Sequence, residues 1–204
     1  MKLTCNVGFM AQRGLDRLYD LAELQGGYFT TRHAVDAGVS TRLLSYYTQV
    51  GDIDRVAHGV YRLSRFPMHR FGEAIAATLW VGSGSVVSHD SALAVYGLGP
   101  AMPTVVHVSV PRRFRGTRPG VVVHVAPLTA GEVTVWDDVP VTAVARTLTD
   151  VAAESDPALA VEAARDAIRE GLTTPAQIAA FLPRRPDAAR LGELLDADNA
   201  TTSR

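Results

Sequence analysis

Hydrophobic and polar positions near the start of the chain alternate with a helical period and are broken by glycines. Leucines recur at helical spacing over residues 13–25, and a glycine pair ends that pattern. Thr30 or Thr31 is suited to cap a short second helix, and Ser40 is suited to cap a third helix after the turn at Gly38. The predicted helices cover residues 13–25, 32–37 and 41–50.

A predicted hairpin follows the third helix. Two short β-like runs, residues 53–57 and 60–63, flank the tight-turn pair His58-Gly59. Helix, glycine-containing turn, helix and hairpin is the element order of a winged helix-turn-helix. The spacing predicts that Leu43, Tyr47 and Val50 point into the core from the third helix.

Polar side chains on the other face of the third helix are suited to the major groove of DNA. Arginine can bridge a guanine edge, glutamine an adenine edge, and serine or threonine can bond bases or phosphates. Arginine and histidine on the hairpin could reach the DNA backbone or the minor groove. The candidate DNA-binding residues are Ser40, Thr41, Arg42, Ser45, Tyr46, Gln49, Arg55, His58 and Arg62. Two alternatives are a merely solvated polar face and a winged helix that docks another protein.

The remainder of the chain mixes strands and helices. Residues 105–110 and 121–125 alternate as strands, and helices are predicted over 70–80, 89–96, 142–153, 157–170, 175–182 and 187–196. The predicted fold is therefore α+β, with a winged-helix domain at residues 1–66. A mixed α/β domain that ends in helices follows at residues 67–204.

Composition and charge refine this picture. Hydrophobic residues make up 47% and charged residues 20%, which excludes a mostly disordered chain. No apolar run is long enough to cross a membrane, residues 1–13 do not resemble a secretory signal, and there is one cysteine. We therefore expect a soluble cytoplasmic protein. Residues 1–70 hold nine basic and six acidic residues, so a mildly basic head precedes an acidic body.

A second basic segment lies between the two predicted strands. Arg112, Arg113, Arg115 and Arg118 fall within seven residues, and a hairpin is expected to project them from its tip. Such a loop can bind a phosphate backbone or an acidic partner. It could also simply protect a valine-rich hairpin from edge pairing.

The sequence offers little catalytic or metal-binding chemistry. In an antiparallel hairpin His107 would face His124, and two such histidines could share a metal, but no further ligand stands at clear spacing. In the run Ser88-His89-Asp90-Ser91, Ser88 is expected to cap a helix, and neighbouring helical side chains diverge too far to relay a proton. HExxH, CxxC and paired-carboxylate patterns are absent. We expect no enzyme activity, no cofactor and no stoichiometric metal.

Three groups of residues together resemble the AbiEi-type antitoxins of type IV toxin–antitoxin systems, and the arginine-rich, lysine-poor composition looks mycobacterial. They are Gly26-Gly27-Tyr28-Phe29-Thr30, Gly38-Val39-Ser40 and Gly59-Val60-Tyr61-Arg62-Leu63 within residues 18–63; Val87-Ser88-His89-Asp90-Ser91-Ala92-Leu93 with Gly97-Leu98-Gly99; and Ala145-Arg146-Thr147-Leu148-Thr149-Asp150-Val151-Ala152.

The resemblance implies a winged-helix repressor domain joined to a larger antitoxin domain. Such a protein would bind operator DNA with inverted repeats and repress its own two-gene operon. It would counteract a nucleotidyltransferase-like toxin, with or without stable contact between the two proteins.

Overall fold

The structure is a computed structural model that describes residues 4–189 and 191–193, with side chains from residue 14 onward. The chain divides into two compact units, residues 1–83 and 84–204. This division lies beyond the boundary after residue 66 that the sequence predicts. The helix Gly72–Val81 belongs to the first unit because it packs on that unit's sheet. Ile75 lies against Gly26, and the Tyr28 hydroxyl lies against Gly72.

The first unit contains four helices and a small antiparallel sheet. In chain order the elements are α1 (Thr4–Glu23), β1 (Tyr28–Thr30), α2 (Thr31–Asp36), α3 (Thr41–Val50), β2 (Ile53–Ala57), β3 (Val60–Leu63) and α4 (Gly72–Val81). The strand order is β1-β3-β2. The predicted bounds of α3 and of both hairpin strands are confirmed, and Thr30 is the N-cap of α2. The residues Tyr28 and Phe29, which precede the predicted cap of the second helix, form a strand beside β3 that the sequence does not predict.

The core of the first unit collects side chains from each of its first six elements. Phe29 is fully buried and stacks on Tyr61 with ring centroids 5.8 Å apart. From α3, Leu44 and Tyr47 are buried, whereas Val50 is 52% exposed, so the predicted inward position of Val50 is wrong. The buried stripe follows i, i+3 spacing, and this spacing leaves the last turn of α3 pointing outward.

The second unit is built on a five-stranded mixed sheet. Its elements are β4 (Val86–Val87), α5 (His89–Tyr96), β5 (Val106–Val110), β6 (Val121–Val125), β7 (Val133–Trp136), β8 (Val139–Thr142), α6 (Val144–Glu154), α7 (Pro157–Arg169) and α8 (Pro175–Ala179). The strand order is β6-β5-β4-β8-β7. The molecule is therefore α+β with helices at both ends, as predicted. Strands β7 and β8 were not predicted.

Strands β5 and β6 run parallel, so the predicted antiparallel hairpin is wrong. Residues 111–120 are a crossover between parallel strands, and the four arginines do not lie at a hairpin tip. A pattern of alternating residues predicts strands but does not give their relative direction.

The C-terminal helices begin largely as their caps predict. Asp156 accepts from the backbone of α7, and Thr174 forms a capping box at α8. Helix α8 ends at Ala179, before the predicted end at residue 182. The helix predicted over residues 187–196 begins with a 3-10 turn, Pro186–Ala188, and is helical at residue 189 and over residues 191–193; its end lies outside the described residues.

A buried ion network fixes α6 to the sheet. Arg146 contacts Glu132 and Asp150, each at 2.8 Å, and all three side chains are at least nine-tenths buried. Arg185 contacts Asp150 and Glu154, each at 2.6 Å.

In the described part of the chain, no helix combines the length and apolarity needed to cross a membrane.

Candidate nucleic-acid interface and a histidine cluster

The turn before α3 sets the direction in which that helix leaves the core. Val39 is fully buried, and Gly38 takes a left-handed φ of 89° that favours glycine. Ser40 Oγ accepts from the Leu43 backbone N–H at 3.3 Å, which satisfies one free donor at the helix start. At the other end, Gly51 closes the helix with a φ of 82°.

The side of α3 opposite the core is exposed and free of acidic residues. Arg42, Tyr46 and Gln49 lie on it at i, i+4 and i+7, and Tyr46 is 55% exposed. Thr41 and Ser45 flank them, and the Ser45 hydroxyl donates to the Thr41 carbonyl at 3.0 Å. We call Thr41, Arg42, Ser45, Tyr46 and Gln49 the α3 polar face. The predicted residues of this helix therefore share one exposed surface.

The tip of the β2–β3 hairpin carries a second exposed basic group. Arg55 Nη2 lies 3.2 Å from His58 Nδ1, and both residues are exposed. The register between the strands shifts between Arg55 and Ala57, which marks a bulge. Bulges bend a strand and redirect its side chains. Gly59 completes the turn with a φ of 71°.

Arg62 does not belong to this exposed group. Its Nη2 donates to Asp54 Oδ2 at 2.6 Å, its Nη1 donates to the Phe66 carbonyl at 3.0 Å, and its side chain is only 13% exposed. The sequence predicts a DNA contact for Arg62, but in the structure it joins the hairpin to the segment that follows.

The basic crossover of the second unit is divided in the same way. Arg112, Arg113 and Arg115 are exposed, whereas Arg118 is half-buried beside Val121. Its Nη1 is buried without a hydrogen-bond partner among the described residues. Only the first three of these predicted residues are directed to solvent.

Three histidines meet above β5 and β6, and one of them was not predicted to take part. His107 pairs with Val122 in the parallel register, so His124, two residues further on, lies on the same face as His107. His107 Nδ1 lies 2.9 Å from His124 Nε2. His89 stacks on His124 with ring centroids 3.8 Å apart. We call His89, His107 and His124 the histidine cluster.

Glu154, at the end of α6, completes the surroundings of the cluster. Its Oε2 lies 3.2 Å from both His89 Nε2 and His124 Nδ1. Arg185 holds the other oxygen, Oε1, at 2.6 Å. Sequence spacing does not predict this contact, because Glu154 is brought to the histidines only by the packing of α6.

An unusual backbone places His89 in the cluster. Its φ of 53° is left-handed, and Ser88 makes no capping hydrogen bond with its side chain. Ser88 Oγ instead lies 2.9 Å from His89 Nδ1 and accepts from Ser109 Oγ at 2.8 Å. The prediction that the side chains of Ser88 and His89 diverge is wrong, because the left-handed φ of His89 departs from helical geometry. Ser88 is fully buried.

Burial favours the neutral form of two imidazoles of the cluster, His89 and His107. Burial lowers the pKa of His89 to about 4, and the neighbouring His124 adds to this effect. Burial also lowers the pKa of His107, again with a contribution from His124. For Glu154, burial alone would raise the carboxyl pKa, but the hydrogen bond from Arg185 and nearby positive charge outweigh it, so its pKa is lowered.

Comparison with known proteins finds one family model that matches part of the first unit and a solved structure with a similar fold. Residues 16–64 match the family model described as "Transcriptional regulator, AbiEi antitoxin", which confirms the predicted resemblance over that segment. The crystal structure of the RV2827C protein from Mycobacterium tuberculosis has a similar fold, with a TM-score of 0.57 and 15% identity over 92% of this chain and 76% of that chain. No curated protein gives a significant match.

Proposed function

We propose that this protein is a DNA-binding antitoxin that represses its own operon, with the first unit acting as a winged helix-turn-helix. The observation that carries the proposal is the α3 polar face, which is exposed and lies within the segment that matches antitoxin regulators. Helix α2, the turn at Gly38 and α3 have the order of a helix-turn-helix, and the β2–β3 hairpin follows as a wing.

The α3 polar face has the donors and acceptors that base recognition needs. Arg42 can donate two hydrogen bonds to a guanine, and Gln49 can both donate to and accept from an adenine. Tyr46 adds an exposed ring with a hydroxyl between them. The N-terminus of α3, at Ser40 and Thr41, offers backbone N–H groups to a phosphate. Bases are therefore read along the helix, and the register is set at its start.

The wing contributes affinity without sequence preference. Arg55 and His58 stand together at the hairpin tip, where a phosphate or the minor groove is within reach of a guanidinium. Such contacts release counterions and depend steeply on salt. Arg62 has no place in this surface, because its guanidinium is already engaged.

Autoregulation and toxin neutralisation extend the proposal to the second unit. The target DNA is the protein's own promoter region, with inverted repeats that two copies fill. The toxin is nucleotidyltransferase-like. Arg112, Arg113 and Arg115 form the exposed basic surface of the second unit, and they are assigned either to flanking DNA or to the acidic surface of a partner.

A footprint on the protein's own upstream region tests the proposal. We expect protection of two related half-sites, and repression of a reporter gene placed behind the same DNA. Equal binding to this DNA and to shuffled DNA of the same composition would contradict it, and would favour a winged helix that docks proteins. Co-expression with the adjacent gene tests the antitoxin role: growth arrest by that gene should be relieved by this protein.

A further inference from the structure

The histidine cluster has the composition and spacing of a metal centre. We propose that His89, His107 and His124 bind one divalent transition-metal ion of the zinc class, each through one ring nitrogen, with Glu154 orienting the rings from outside the ligand set. Each histidine offers a ring nitrogen, and the three nitrogens lie within 4.8 Å of one another. Three imidazole nitrogens are a ligand set that Zn²⁺ accepts in tetrahedral sites.

The separations within the cluster are close to those around a bound ion. Metal–nitrogen bonds of about 2.0–2.1 Å in a tetrahedron place neighbouring ligand atoms about 3.3 Å apart. His107 Nδ1 and His124 Nε2 are 2.9 Å apart, close to that spacing. Glu154 Oε2 lies 3.2 Å from the other nitrogen of His124, Nδ1, and therefore holds that ring from the side away from His107.

Contacts outside the cluster orient its ligands, as they do around protein-bound metals. Ser88 Oγ holds Nδ1 of His89, which leaves Nε2 of that ring directed at Glu154. Arg185 holds Oε1 of Glu154, which leaves Oε2 directed at the histidines. The left-handed backbone of His89 is a further sign, because strained non-glycine residues concentrate at functional sites.

Such an ion would cross-link the second unit. His89 begins α5, His107 lies on β5 and His124 lies on β6, so the ion would join three elements, and Glu154 at the end of α6 lies beside them. His89 is only 1% exposed, whereas Glu154 is exposed and the other two histidines are half-buried. The ion therefore has a path from solvent. Three histidine ligands leave the fourth position of a tetrahedral ion to water.

The rival explanation is a hydrogen-bonded chain without metal. Neutral histidines can satisfy every contact if His89 Nε2–H and His124 Nδ1–H donate to Glu154, and His107 Nδ1–H donates to His124 Nε2. In that arrangement added zinc has no specific place to bind, so a titration separates the two explanations.

The test uses the full chain without an affinity tag, stripped with a chelator and titrated with ZnCl₂ by calorimetry. Absorption in the visible range with CoCl₂ reports the coordination. His107→Gln and His124→Gln each remove one half-buried ligand, and His58→Gln, at the exposed hairpin tip, is the matched control. Circular dichroism confirms that each variant is folded, and the two ligand variants stand in for one another if either fails to fold.

We expect one equivalent of zinc per chain, tetrahedral cobalt bands, and a Tm that rises by about 5–10 °C when free zinc exceeds the Kd by about 100-fold. Loss of a ligand should weaken binding by more than the roughly 10–100-fold typical of outer contacts, while His58→Gln binds as wild type. Absence of stoichiometric binding, or equal binding by the ligand variants, would overturn the metal site. The measurement involves no DNA and is independent of the proposed repressor function.

Discussion

Arg62 Nη2 lies 2.6 Å from Asp54 Oδ2 across the β2–β3 hairpin. This ion pair gives Arg62 a structural role that the other arginine of the hairpin, Arg55, does not have. Arg62 is largely buried and also donates to the Phe66 carbonyl. Arg55, on the same hairpin, extends to solvent. The two arginines are seven positions apart in the chain and have opposite expected roles, and they provide a direct comparison of fold stability with DNA affinity.

Arg62→Ala is expected to lower the free energy of unfolding by about 1–3 kcal/mol, because it removes hydrogen bonds to a carboxylate and a carbonyl. Urea denaturation followed by circular dichroism measures this. Arg65→Ala is the control, since that side chain is 80% exposed and its pair with Asp52 should contribute little. DNA affinity of folded Arg62→Ala should match wild type, and a DNA defect at unchanged stability would return Arg62 to the binding surface.

Arg42→Ala should weaken binding to the operator by about 1–3 kcal/mol and relax the preference at one base pair, because a bidentate contact to a guanine is lost. Fluorescence anisotropy with operators substituted at single positions shows both effects. Arg169→Ala, an exposed arginine of the second unit, is the control and should leave the affinity unchanged. Unaltered operator binding by Arg42→Ala would mean that α3 does not read the bases through this residue.

Arg55→Ala should reduce affinity for operator and random DNA alike. Loss of one phosphate contact lowers the slope of log K against log salt by about 0.9. Anisotropy at several salt concentrations gives this slope. His58→Ala, which leaves the guanidinium in place, should change the slope less. A loss confined to the operator would show that the hairpin tip reads sequence instead of phosphates.

Arg146→Met should destabilise the second unit by about 3–5 kcal/mol, because Glu132 and Asp150 would keep buried charges without their shared partner. Urea denaturation measures the loss. Arg169→Met removes an exposed ion pair of similar length and should change the free energy of unfolding by less than about 1 kcal/mol. Similar values for the two variants would contradict the structural role of the buried network.

Glu132 should make the fold sensitive to acid. Burial would raise its pKa, but hydrogen bonds from Thr129 and Arg146 outweigh burial, so the pKa lies below the ordinary 4.5. The folded state therefore binds the proton less readily than the unfolded state, and the stabilisation is complete above pH 4.5 and lost as the pH falls through the folded-state pKa. Urea midpoints of wild type and Glu132→Gln should differ most at neutral pH and converge in acid. A difference that stays constant with pH would contradict this.

Local signals predicted the first unit well. Ser40 as a cap, Gly59 in the tight turn, and helical spacing predict the bounds of α3 and of the hairpin. The sequence does not predict strand β1, because the strand has three residues and takes its stability from pairing with β3. The ion pair between Arg62 and Asp54 also cannot be predicted from sequence spacing, since it depends on the cross-strand register.

In the second unit, local sequence signals do not predict the direction of the strands. The chain between β5 and β6 is short and rich in glycine, proline and arginine, and these residues are typical of a hairpin loop as well as of a crossover. Strand direction is set by the whole sheet. The sequence predicts that His107 and His124 lie together, but from an antiparallel pairing that the structure does not have. His89 reaches them through its left-handed backbone, and Glu154 reaches them through the packing of α6.

Sequence-specific DNA binding by the first unit is tested by the affinity of the full chain for its own upstream DNA and for a shuffled duplex, measured by anisotropy at one fixed salt concentration. We expect the protein to bind its own DNA about 10³-fold or more tightly than the shuffled duplex, and Arg42→Ala combined with Gln49→Ala to remove most of that preference. Equal affinity for the two duplexes, or a preference that survives both substitutions, would contradict it.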